Sequence, residues 1–184
     1  RRQYPRTGCC TLNLKPRSSF IEHAAVGETE ARVTVAEYTA AEVIQQFLAV
    51  YNCMDFKPEL EDIGIGRFQF VRRKKALREF RALSIALWGL ALQKSFPNDA
   101  ESFFQEFRED LTALFPSVKE REMMDNRIDI YVDCLSTKKD TDFLPVAEYL
   151  AEVLALDAED MRRLRLKLSL FMRNLYTMIF DRLV

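Results

Sequence analysis

The stretch Ala82-Leu83-Ser84-Ile85-Ala86-Leu87-Trp88-Gly89-Leu90-Ala91-Leu92 decides the fold. It carries no charge and has a single hydroxyl, so either face of a helix built from it is apolar. A bilayer span needs about 20 such residues, and no run in the chain approaches that length. A basic stretch precedes it, as in a secretory leader, but it lies mid-chain and is not one. It therefore reads as a core helix with neighbours on all sides. Extending the pattern outward gives one long helix from about Arg67 to Ser95, stopped before Pro97.

A helix buried all round needs amphipathic helices to cover it, and the flanking sequence supplies them. Thr39-Ala-Ala-Glu42 is a capping box that opens a helix to about Asn52. Pro58 suits the first turn of a short helix near 57–62, and Gly64-Ile65-Gly66 breaks the pattern after it. Asn98 or Asp99 caps a helix to about Phe115. Ser117-Val-Lys-Glu120 opens another to about Leu135. Lys138–Thr141 reads as a loop. Pro145 fits a helix from about Asp142 to Ala155, and a last helix starts near Asp157 and runs almost to Val184. The apolar stripes agree: Phe103, Phe104, Phe107, Leu111, Leu114 and Phe115; Met124, Ile128, Tyr131, Val132 and Leu135; Phe143, Ala147, Leu150 and Leu154; Leu164, Leu168, Phe171, Leu175 and Ile179. The expectation is an all-α bundle of about five to seven helices over residues 39–184. Residues 1–38 differ. Alternations such as Thr11-Leu12-Asn13-Leu14-Lys15 and Arg32-Val33-Thr34-Val35 predict an arm with one or two short strands.

Composition narrows the chemistry. The 184 residues include one His, and this excludes zinc sites built from several imidazoles and carboxylate–histidine di-iron sites. The four cysteines (Cys9, Cys10, Cys53 and Cys134) form no CxxC, so reduced thiols and a cytoplasmic location are expected. A start at Arg1 suggests a trimmed or processed end. His23 has Ser18, Ser19, Cys9 and Cys10 nearby but no glycine-framed elbow, so no catalytic residue is assigned. Arg2-Gln-Tyr-Pro-Arg6 is similar to the RxxxR half of the cyclic-di-GMP motif of PilZ domains, whose companion (D/N)xSxxG is absent.

The net charge of −1 conceals blocks of +5 (1–21), −7 (22–66), +6 (67–81), −10 (82–160) and +5 (161–184). Arg72, Arg73, Lys74 and Lys75, with Arg162, Arg163 and Arg165, are candidates for binding an anion: nucleic-acid phosphate, a nucleotide or an acidic peptide. Pairing with acidic neighbours inside the bundle is the bland alternative. The Gly64–Gly66 turn lacks the third glycine of GxGxxG, since Gln69 stands there. In Arg67-Phe68-Gln69-Phe70 the aromatic rings could stack on bases, although helical spacing asks for one of them in the core.

The acidic candidates are Glu106-Phe-Arg-Glu109 and, 12 residues on, Glu122-Met-Met-Asp125. Spacing i, i+3 puts each pair on one helix face, and two antiparallel helices could offer four carboxylates to Mg²⁺. The pair of motifs resembles that of the all-α, MazG-like nucleoside triphosphate pyrophosphatases. The resemblance covers about 20 residues and implies Mg²⁺-dependent pyrophosphate cleavage at those four side chains. At ~100° per residue both pairs lie opposite their apolar stripes and should face water. With no stronger site, the expected function is a non-enzymatic α-helical protein-interaction module without a cofactor, self-associating as a homodimer or binding a protein partner through opposed charged surfaces. The pyrophosphatase and nucleic-acid or anion binding are the alternatives.

Overall fold

A computed structural model of the chain describes residues 38–136, 142–156 and 161–183. The expected N-terminal arm with its cysteine pair and His23, the 138–141 loop and the start of the last helix at Asp157 lie outside them. Of the described residues 79% are helical and none is in a strand. The elements are α1 (Ala40–Cys53), α2 (Lys57–Asp62), α3 (Phe70–Ser95), α4 (Ala100–Glu109), α5 (Leu111–Leu114), α6 (Val118–Ser136), α7 (Leu144–Val153) and α8 (Met161–Phe180).

α3 is the axis of an all-α bundle. α4, α6 and α8 pack directly on it, α1 packs on α4, and α7 lies against α8 and α6. From Ala82 to Gly89 every residue of α3 is buried, as an uncharged segment in a bundle centre must be. At Gly89 a Cβ would stand 2.9 Å from Cε2 of Phe104, so the missing side chain sets how closely α4 approaches. Trp88 is fully buried. It stacks on Phe47 of α1 (4.5 Å between centroids) and meets Phe107 of α4 edge-on at 4.9 Å, tying three helices together. A second aromatic group, Phe56, Phe80 and Phe171, joins the loop before α2 to α3 and α8.

Local chemistry explains the helix ends. The Thr39 hydroxyl accepts from the Glu42 amide at 3.3 Å, and the Glu42 carboxylate accepts from the Thr39 amide at 3.0 Å, completing the capping box. α2 closes in a Schellman turn. Gly64 takes φ +82°, its amide reaches the Glu61 carbonyl, and the Ile65 amide reaches Leu60 at 2.8 Å. α7 closes the same way with Ala155 at φ 47°, a left-handed position filled by a residue with a Cβ.

Two boundaries and one core position depart from the expectation. α3 begins at Phe70 rather than Arg67, because Ile65 is buried by the Schellman turn and the chain reverses before the helix starts. The 99–115 segment breaks at Asp110, so Phe107 and Leu111 are buried from separate elements, α4 and the single turn α5. On α8 the most deeply buried position of the middle turn is Met172, while Phe171 sits at the edge against Phe80.

Candidate functional site

The two basic segments, far apart in sequence, meet at one end of the bundle. Arg72, in the first turn of α3, donates to the Ala155 carbonyl just ahead of α8 at 2.8 Å. Lys167, near the start of α8, donates to the Asp62 carbonyl at the close of α2 at 3.1 Å. The first described turns of α3 and α8 therefore lie at the same end of the bundle.

The seven basic candidates spread over this end and do not converge on one point. Arg165 is drawn towards α7 by Glu148 at 3.1 Å. Arg73 leans on the Ile65 carbonyl at 3.5 Å, at the limit of a hydrogen bond. Lys75 lines a cavity of about 50 Å³ with Arg78, Glu79, Met123, Met124 and Arg127, on the α6 side. Lys74, Arg162 and Arg163 are exposed. Arg72 and Lys167 give their hydrogen bonds to carbonyls, which neutralise no charge. The Arg67–Glu61 pair is open to water (82% and 49% exposed) and contributes little.

Beside these cations stands an apolar tip. Phe68 is 90% exposed, Phe70 73% and Val71 84%. Sequence spacing asked for one of the two rings in the core; neither is there, because Ile65 occupies that place. On α8, Leu166 and Leu170 are also exposed, at 56% and 49%, on the same helix as Arg162, Arg163 and Lys167.

The carboxylate quartet has a different geometry. Glu106, Glu109 and Glu122 are exposed, while Asp125 is half-buried. Arg108 reaches from α4 to α6, its Nη2 2.6 Å from Asp125 and its Nη1 2.7 Å from Asp129. Burial alone would depress the Arg108 pKa, but the two aspartates outweigh it and push it up. A guanidinium thus holds the one member of the quartet that is not fully in water. Among the described residues no three His, Cys, Asp or Glu side chains lie close enough to share a metal ion.

One buried polar group escaped the sequence reading. Glu79 is 3% exposed and accepts from the Tyr131 hydroxyl at 2.9 Å. Arg127 Nε lies 3.4 Å from its other oxygen, and Arg127 Nη1 donates to Tyr149 at 3.1 Å. The available hint was a lone acid in a basic run, set between Ala76 and Phe80 at core spacing. Comparison with protein-family models, curated proteins and solved structures finds no match to this chain.

Proposed function

We propose that the chain is a non-enzymatic α-helical interaction module, docking on an anionic partner through the end at which α3 and α8 begin. The observation that carries this is the exposure of Phe68, Phe70 and Val71, at 90%, 73% and 84%, near the exposed cations Arg72, Lys74, Arg162 and Lys167. The largest apolar patch on a monomeric protein, typically about 300–600 Å², is often functional. The basic collar selects the sign of the partner and speeds encounter. The test is retention on a polyanionic matrix at low salt. The parent should be held and should elute earlier after Lys74→Glu and Arg162→Glu; a parent that flows through rejects the role. Self-association is a second possibility, supported by the exposed acids Glu106, Glu109 and Glu122 on α4 and α6, which could meet the basic end of a second copy. A sedimentation mass that stays at one chain as concentration rises rejects it.

A further inference from the structure

We infer that the anionic partner of this end is a lipid bilayer, entered to interfacial depth by the Phe68-Gln69-Phe70-Val71 tip. The inference rests on the docking role proposed above. Shape argues for it first. Phe68 lies in the turn closed by the Gln69 amide on the Gly66 carbonyl at 3.2 Å, and Phe70 and Val71 are the first residues of α3. None of the three lines the cavity beside Glu79 or a second one, of about 120 Å³, between α3, α4 and α6. An apolar segment this exposed is covered either by a matching pocket or by a soft apolar medium, and a bilayer interface is the medium that asks for no matching shape.

Size points the same way. Aromatic side chains present about 150–250 Å² each, so two Phe and a Val at these exposures offer on the order of 400 Å². A stable protein complex buries about 800 Å² on each partner, roughly twice that. Peripheral membrane binding combines a small inserted apolar area with attraction of Lys and Arg to anionic headgroups. The cations are suitably placed. Arg72 and Lys167 donate to backbone carbonyls, and among the described residues Lys74 and Arg162 make no ion pair, while Glu61 and Asp62 share this end. Their alkyl stems can lie along the membrane while the charged heads reach the phosphates. Leu166 and Leu170, on the same helix as Arg162, are also exposed. Among the described residues no helix is long and apolar enough to cross a membrane, so the contact is interfacial.

The experiment uses the full chain with phosphatidylcholine vesicles, with and without phosphatidylserine, read by co-sedimentation. Binding is expected only with phosphatidylserine and should weaken as salt rises. Lys74→Gln and Arg162→Gln should each lower affinity about fivefold. Phe68→Ser should lower it at least about tenfold. These side chains are on the surface, so far-ultraviolet circular dichroism and Trp88 emission should match the parent. In Phe68→Trp the added indole should be water-exposed in buffer, shift to the blue on anionic vesicles and be quenched by brominated acyl chains. Vesicles left unbound, with retention on the polyanionic matrix intact, overturn the lipid assignment and leave the docking role standing; loss of both overturns both. Binding without quenching of that indole overturns insertion. An indole already shielded in buffer means another part of the chain or a second copy covers the tip, and also overturns it.

Discussion

Removing the Tyr131 hydroxyl, by Tyr131→Phe, isolates the buried Glu79 charge. The hydroxyl belongs to a fully buried ring and donates at 2.9 Å to the Glu79 carboxylate, itself 3% exposed. Hydrogen bonds to charged groups contribute about 1.5–3 kcal/mol, and the loss leaves a carboxylate oxygen without its donor. Arg127, 3.4 Å away on the other oxygen and one-third exposed, keeps part of the charge compensated. The expected loss of unfolding free energy is therefore about 2 kcal/mol. In a Glu79→Met background the same change should cost nothing, because it deletes a hydroxyl that has already lost its acceptor; there it should gain up to ~1 kcal/mol. The coupling between the two sites should thus be about 2–3 kcal/mol. Urea unfolding of the parent, both single variants and the double variant measures it, with Trp88 fluorescence and circular dichroism required to coincide. If Tyr131→Phe costs the same in both backgrounds, within the ~0.5 kcal/mol expected of independent sites, the carboxylate is not held by this hydroxyl and the reasoning fails.

Four further outcomes follow from particular contacts. Burial pushes the Tyr51 hydroxyl up to about 12 from 10.0, and its oxygen has no partner. A raised folded-state value favours the protonated form, so the stability is intact below pH 10 and is lost as pH climbs towards 12; Tyr51→Phe should flatten that decline in a thermal-melt series. Thr39→Ala should cost about 1 kcal/mol by removing the capping hydroxyl of α1, readable by denaturant titration. Ala155→Gly should raise the midpoint, stabilising by about 0.5–1 kcal/mol through relief of the left-handed backbone; a lower melting temperature contradicts the φ of 47° at that position. Magnesium titrated into the chain should produce no calorimetric heat, because Arg108 occupies Asp125; saturable heat abolished by Glu106→Gln and Glu122→Gln would revive the pyrophosphatase reading.

Much of the fold was legible because its determinants are local. Thr39 and Glu42 stand three apart and cap each other, Pro58 sits where its missing amide costs nothing, and the uncharged 82–92 segment admits only burial. The features that eluded the sequence are decided at a distance. Nothing at Asp110 is a glycine or a proline, so the break between α4 and α5 comes from how Phe107 and Leu111 find the core. The start of α3 depended on Ile65 taking the apolar place at the close of α2, which released Phe68 and Phe70 to water. Tyr131 and Arg127 share a face of α6 at i, i+4, yet their partner Glu79 lies on α3, and spacing within one helix does not reveal a partner on another. The same holds for the docking surface: the segments 67–81 and 162–173 look alike in charge, but only packing brings the first described turns of α3 and α8 to one end.

That packing changes what a net charge of −1 means. At physiological ionic strength charges more than ~8 Å apart in water are largely screened from one another. α3 alone has 26 residues, about 39 Å at 1.5 Å per residue. Acidic groups near its far end, such as Asp99 and Glu101 at the start of α4, are several screening lengths from the tip. They do little to cancel the field of Arg72, Lys74, Arg162 and Lys167, which is offset instead by the nearby Glu61 and Asp62. An approaching anionic surface meets these exposed cations together with the N-terminal end of the α3 dipole, and it turns the molecule to present Phe68, Phe70 and Val71 first. Orientation then comes from charge and hold from apolar area, so neutralising single cations should weaken binding in modest steps, whereas removing the tip should leave encounter intact and shorten residence.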